Sequence, residues 1–409
     1  MKKKFLILGL GKSGKAAAAL LLSRGEEVWG FDDAILVLES LETVGVHVIT
    51  DASRIDWRAI DSLIASPGVS PEHLIYKSAV EKKIPVIGEA ELALRFLNQK
   101  AVGITGTNGK TTVTALITHI LHLSGVSARA LGNIGEPLCS YAKHPDPQEI
   151  LVIELSSFQL ETLRARALDA AAILNVTPDH LERYPDMESY ARAKCAIQHC
   201  LKATAPLFVQ QKVADSYGHL LSAPYTPFAA KENRDEENVL AAWALCQTLG
   251  ILPRQFESAL KTFQKPSHRV EFVCEINGVC YYDDSKGTNV DAVVHAVQSM
   301  TGPAILIAGG IDKGASYMPW AHCLKDKIRS IITIGQAGPK IQRELHLFFP
   351  IEHVDSLEAA VTCAAKRAVN GDCVLLSPGC SSYDMFRDYA HRGEEFQRCV
   401  HSLCENRES

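Results

Sequence analysis

The stretch AVGITGTNGKTTVTALITHIL, residues 101–121, decides how this chain is built. AVGIT is a short apolar run of strand length, and Val113, Leu116, Ile117, Ile120 and Leu121 recur at helical spacing before Gly125. Between them GTNGKTT, Gly106 to Thr112, has to turn the chain and open the helix. Glycines let backbone N–H groups approach a polyphosphate, and a helix start adds partial positive charge. Lys110 can reach the terminal phosphoryl oxygens, and the Thr111 hydroxyl suits a bound Mg²⁺. Ile104 stands where the strict pattern GxxxxGK[ST] has its first glycine, so the flanking strand and helix carry the reading more than the letters do. A glycine turn capping an ordinary helix is the plain alternative.

The same alternation extends outward from the loop. Apolar runs stand at FLILG (5–9), SLIA (62–65), ILVIE (150–154), AAILNV (171–176), AILIA (304–308), SIITI (330–334) and CVLLS (373–377), with helical patterns between them. Such punctuation specifies an α/β fold with parallel sheets covered by helices on both faces. Composition shifts over residues 88–100 and at QKPSH, 264–268, divide the chain into three domains. These are a Rossmann-like domain over 1–92, a central phosphate-loop α/β domain over 93–266 and a second Rossmann-like domain over 267–409, with a hinge near Pro266.

Composition excludes several functions. The net charge is −5 with both signs mixed, so no basic stripe offers itself to nucleic acid. MKKKFLILGL imitates a secretory leader, but Lys12 and Lys15 interrupt it and a glycine turn follows, which marks a first strand. No later apolar run has the length of a membrane span, so no membrane partner is expected. The twelve cysteines show neither CxxC nor Cys/His ligand spacing, which fits reduced thiols in a cytoplasmic protein.

Further motifs follow the strand-like runs, where open α/β sheets place their ligands. GLGKSG sets Gly9, Gly11 and Gly14 in GxGxxG register, with Asp32 at the end of the next run. A pyrophosphate lies over such a turn equally well in NAD and in a nucleotide sugar. A dehydrogenase, however, would leave the second phosphate loop without work. After ILVI comes Glu154, a natural Mg²⁺ ligand beside a phosphate loop or, alternatively, a helix-start carboxylate favoured by the dipole. NVTPDHLERY gathers Asn175, Asp179 and His180 in a turn set by Pro178, although a lone histidine is usually structural.

GTNGKTT, LGNIGEPL, ELSSFQLE, NVTPDHLERY, DDSKGTN and LSPGCSSYDMFRDYAHRGEEF occur in the order found in the Mur ligases, and the chain resembles that family over its whole length. ELSSFQLE and DDSKGTN are similar to the branch that adds D-glutamate, whereas the phosphate loop is shared with all Mur ligases and with folylpolyglutamate-type ligases, so another Mur-type or folylpolyglutamate-type amino-acid ligase is the alternative. The resemblance implies a monomeric enzyme that uses ATP and two Mg²⁺ ions to join D-glutamate to UDP-N-acetylmuramoyl-L-alanine. It assigns Gly106, Thr107, Asn108, Gly109, Lys110, Thr111 and Thr112 to ATP, with Asn238, Arg269 and Asp284. It assigns Thr111 and Glu154 to one Mg²⁺ and His180 to the second, with Lys194 as a CO₂-derived carbamate. Lys110, His180 and Lys194 are then the catalytic set. By pattern alone Lys194 is a solvated helix lysine; carbamylation makes sense only beside a cation.

The resemblance places the sugar nucleotide at Lys12, Ser13, Asp32 and Asn133, and D-glutamate at Lys286, Thr288, Lys313, Ser382 and Tyr389. Cations and hydroxyls at both ends suit a dicarboxylate, although surface lysines and a strand-edge arginine would explain several of these residues without function. Three departures stand out: Ala34 where an arginine is common, Arg234–Asp235 at the start of the segment ending in Asn238, and Tyr389 where some relatives have Phe.

Overall fold

The computed structural model describes residues 2–34, 45–230 and 234–408. By its contacts the chain forms two units, one of Met1–Val176 with Glu188–Gln264 and the other of Thr177–Met187 with Lys265–Ser409.

The first unit holds two all-parallel sheets. In one, β1 (Lys4–Leu8), β2 (Glu27–Phe31), β3 (His47–Val48), β4 (Ser62–Ala65) and β5 (Val86–Gly88) lie in the order β3-β2-β1-β4-β5. In the other, β6 (Ala101–Thr105), β7 (Ala128–Gly132), β8 (Ile150–Glu154), β9 (Ala170–Ile173), β10 (Leu207–Gln210) and β11 (Tyr225–Phe228) lie in the order β11-β10-β9-β6-β8-β7. Every residue of β6, β8 and β9 is buried, as strands covered on both faces must be. Val102 and Ile104 pack with Val113, Leu116, Ile117 and Ile120 of the helix Lys110–Leu123, while Leu151 and Ile153 face the opposite core.

Within this unit the two sheets share one core. The connecting helix Glu89–Leu94 is buried at every position. Its apolar residues join Leu10, Leu20 and Leu21 to Leu131, Leu138 and Leu160 in a single cluster. Its glutamates are satisfied by backbone N–H groups. Glu91 accepts from Arg164 at 2.8 Å and Ala165 at 2.7 Å and pairs with Arg95, and Glu89 accepts from Cys139 at 2.5 Å.

The second unit holds β12 (Glu271–Ile276), β13 (Val279–Asp283), β14 (Ala304–Gly309), β15 (Ile328–Ile334), β16 (Ile351–His353) and β17 (Cys373–Leu376), in the order β12-β13-β17-β14-β15-β16. Only β12–β13 is antiparallel. Asn277 and Gly278, both at positive φ, turn that hairpin as an Asn-Gly pair does. Two apolar clusters cover the faces of the sheet, one around Trp320 and Leu375 and the other around Ile305, Leu376 and Phe396.

The expected strand runs all appear, with AAILNV shortened at Ile173. The candidate motifs follow adjacent strands. GTNGKTT, ELSSFQLE and LGNIG leave β6, β8 and β7, while DDSKGTN, GGIDKG and the CSS turn leave β13, β14 and β17.

Candidate active site

In the first unit the loop after β6 is pinned from below. Asn175, just past β9, accepts the Asn108 N–H at its side-chain oxygen (2.7 Å) and the Thr107 N–H at its carbonyl (2.9 Å), and its amide donates to Asn108 O at 3.0 Å. Gly106 and Gly109 sit at φ +154° and +87°, and a Cβ on either would strike Leu174 or Asn238. Only glycine fits so tight a cradle. Gly109 is also the cap of the helix Lys110–Leu123, whose N-terminus therefore opens at the loop.

The Lys110 ammonium donates to Gly106 O at 2.8 Å and Thr107 O at 2.9 Å. Lys194 donates to the same Gly106 carbonyl at 2.8 Å, with its ammonium 4.5 Å from the Tyr190 ring centre. Its side chain is 1% exposed, which overturns the solvated-lysine reading of the pattern. The Tyr190 hydroxyl in turn lies 3.3 Å from Thr107 Oγ1, a support that the sequence reading missed. Asn238 is buried against Gly109, and Thr112 is buried beside Thr111.

Glu154, 1% exposed at the tip of β8, accepts from Thr111 Oγ1 at 2.9 Å and from Asn133 Nδ2 at 2.8 Å. A carboxylate and a hydroxyl beside a phosphate cradle form the hard-oxygen donor set that Mg²⁺ takes, so these residues fit the ion. Asn133 belongs to LGNIG, and Lys12 reaches the same loop by donating to Gly135 O at 2.5 Å. Ser13 is half-buried in the first helix turn. Asp32 accepts the N–H groups of Leu10 at 2.5 Å and Ala34 at 2.9 Å, so it braces the glycine turn itself.

The remaining candidates lie in the second unit. His180, at φ +56°, has Nδ1 3.1 Å from Glu182 and Nε2 3.6 Å from Asp179. The Lys313 ammonium donates to Asp179 at 3.1 Å and to Thr288 Oγ1 at 3.4 Å, and Asn289 donates to the other Asp179 oxygen at 3.3 Å. Lys286 lies over the Tyr389 ring, 3.7 Å from its centre. Ser382 is buried at the turn after β17. His180 and Lys194 thus belong to different units, and NVTPDHLERY divides after Val176.

Asp284 is buried and accepts from Ser377 Oγ at 2.6 Å. Burial pushes its carboxyl up to about 7, while the Ser377 hydroxyl and the Arg269 charge pull it back. Arg392, which the sequence reading passed over, is 0% exposed and ties two site loops together. It donates to Ser285 Oγ and O at 2.9 Å and to Cys380 O at 3.2 Å. Burial lowers its pKa to about 10. Its partners are backbone and hydroxyl oxygens from segments about 10 and 100 residues away, which no local pattern announces.

A model of the Mur ligase middle domain matches residues 104–245, and a model of the Mur ligase glutamate ligase domain matches residues 268–380. The chain belongs to the Mur ligase family. It is 49% identical to the UDP-N-acetylmuramoylalanine--D-glutamate ligase of Protochlamydia amoebophila, with 98% of each chain covered. It is 35% identical to the enzyme of that name from Nitrosococcus oceani, over 97% of this chain and 96% of the other. Among solved structures, the MurF ligase of Thermotoga maritima in complex with ADP shares the fold at a TM-score of 0.61 and 16% identity, covering 99% of both chains. The UDP-N-acetylmuramate-alanine ligase of the same organism does so at 0.60 and 17%, over 98% of this chain and 100% of that one.

Among the described residues no helix is long and apolar enough to cross a membrane.

Proposed function

We infer that the protein joins D-glutamate to the terminal carboxylate of UDP-N-acetylmuramoyl-L-alanine, with ATP converted to ADP and phosphate, as a step in peptidoglycan precursor synthesis. The end-to-end likeness to ligases of that name, at 49% identity, carries the inference. The polyphosphate of ATP rests in the GTNGKTT cradle on the helix N-terminus. Mg²⁺ held by Thr111 and Glu154 would neutralise phosphoryl charge.

Attack of the acceptor carboxylate on the γ-phosphorus gives an acyl phosphate and releases ADP. The D-glutamate amine then adds to the acyl carbon, inorganic phosphate leaves and an amide remains. Lys110 and the loop N–H groups face the charge that develops on the transferring phosphoryl group. Lys194, converted to a carbamate, would present an anion beside the loop in place of a cation, and His180 is the metal-ligand candidate of the second unit. Asn238, Arg269 and Asp284 serve the nucleoside and phosphates, and Lys12, Ser13, Asp32 and Asn133 serve the sugar nucleotide.

For D-glutamate, Lys286, Lys313, Thr288 and Ser382 supply cations and hydroxyls, with Tyr389 as a wall. An ammonium has three donors, so Lys313 can keep Asp179 and still take a substrate carboxylate. Twelve free thiols suit a reducing compartment, which supports a cytoplasmic site for the reaction.

Phosphate release with ATP, Mg²⁺ and UDP-N-acetylmuramoyl-L-alanine tests the reading. D-Glutamate should stimulate release, whereas L-glutamate, L-alanine and diamino acids should leave it at background. Equal stimulation by L-glutamate would overturn the assignment.

A further inference from the structure

Cys274, in β12, and Cys404, near the end of the helix Tyr389–Glu408, are 130 residues apart in sequence, yet their sulfurs are 3.7 Å apart. Both are half-buried, within reach of a small reagent. Neither serves the proposed reaction. The contact is set by packing: Phe396, Cys399, Val400 and Leu403 of the helix join Cys274 in the cluster covering one face of the third sheet. Across the hairpin Cys274 is in register with Tyr281, whereas Cys280 is in register with Glu275. Successive strand residues point to opposite faces, so Cys280 lies on the other side of the sheet and does not compete. A disulfide needs sulfurs about 2.05 Å apart and Cβ atoms about 4 Å apart, a contraction that side-chain rotation in the last turns of a terminal helix can supply.

We propose that Cys274 and Cys404 form a thiol-modification site that a small-molecule disulfide oxidant closes reversibly, stapling the C-terminal helix to the edge strand β12. The electrons balance by exchange. The Cys404 sulfur attacks one sulfur of the oxidant, forms a mixed disulfide and expels a first thiol. The Cys274 sulfur then attacks Cys404 and expels the second. Two cysteine protons end on the two released thiols, the cysteines are oxidised and the oxidant is reduced. Burial, and then the neighbouring Cys404 thiol, push the Cys274 thiol up to about 12.

The other end of this helix carries Tyr389, over Lys286, and Arg392, bound to Ser285. A staple at Cys404 would therefore hold the element that forms one wall of the amino-acid pocket; this consequence rests on the proposed function, but the mapping below does not.

Full-length protein is incubated with oxidised glutathione, its remaining thiols are alkylated, and the digest is mapped by mass spectrometry without any turnover assay. The expected result is a Cys274–Cys404 linked peptide that dithiothreitol dissolves. Closing a loop of this length should raise the thermal unfolding midpoint by roughly 5 °C or more over the reduced protein. The rise should be absent from both Cys274→Ser and Cys404→Ser, which in reduced form should melt with the parent. Recovery of Cys404 alkylated, held as a glutathione adduct or linked to another cysteine, with exposed Cys323 modified in the same sample, overturns the proposal.

Discussion

The two units hold their cations differently. In the first, Lys110 and Lys194 both donate to the Gly106 carbonyl, so each ammonium is anchored on main chain that the sheet and helix fix. In the second, Lys313 is anchored on the Asp179 carboxylate and the Thr288 hydroxyl, and Lys286 on the Tyr389 ring. A backbone anchor does not depend on the identity of a partner side chain. A side-chain anchor can be removed by one change, so the amino-acid side of the reaction should be the more tunable and the ATP side the more rigid.

The most severe challenge to that contrast is Lys110→Ala. It should lower ATP turnover by at least about 10²-fold, the scale of losing a charge that faces the developing anion. D-Glutamate-dependent phosphate release at the parental rate would break the comparison. If Lys194 carries the proposed carbamate, Lys194→Ala should cost about 10²-fold and be largely restored by a short-chain carboxylate such as acetate, because the added anion would take its place. Full activity without the additive would show that Lys194 carries no anion.

Lys313→Ala should raise the KM for D-glutamate by about 10-fold and leave that for ATP unchanged, the scale of one charge-assisted hydrogen bond. An unchanged D-glutamate KM would remove Lys313 from the pocket.

The smallest effect extends the contrast to carboxylates. Burial raises Glu89 to about 7, with the Cys139 N–H pulling it back. Its folded pKa lies above the unfolded value, so its contribution to stability is complete below about 4.5 and is lost as pH rises through about 7. Urea unfolding of Glu89→Gln should fall less between pH 5 and 7.5 than that of the parent, by about 1–3 kcal/mol. The difference between the two proteins is the readout, because Asp284 shifts in the same direction in both. Parallel pH profiles would sink the assignment.

What the sequence revealed follows from how local each cause is. SLIA, AVGIT and ILVIE are strands over the expected residues because burial on both faces demands contiguous apolar side chains. AAILNV overran because Asn175 leaves the sheet to hold Asn108, a partner 67 residues away. β11 escaped notice because it is a largely exposed edge that includes Pro227, a residue tolerated only at such edges. Lys194 sits in the polar pattern MESYARAKC, and its burial is caused by a carbonyl 88 residues distant. GTNGKTT, Glu154, DDSKGTN and GGIDKG drew attention because each stands at a strand end; Tyr190, Arg392 and Ser377, which hold such residues in place, carried no local sign.

The sequence marks a joint at residues 88–100 and another at 264–268. GEAELALRF nevertheless became a sealed wedge, with Glu89 and Glu91 answered by N–H groups from Cys139, Arg164 and Ala165. QKPS stayed largely exposed at the unit boundary.

The buried helix Glu89–Leu94 makes the opening ninety-odd residues an inseparable part of their neighbour rather than a transferable cassette. Recombination between homologues that parted them there would have to rematch the packing of Leu92 and Leu94 and the three backbone N–H groups that donate to Glu89 and Glu91. Shuffled descendants should therefore inherit the first two sheets as one parcel.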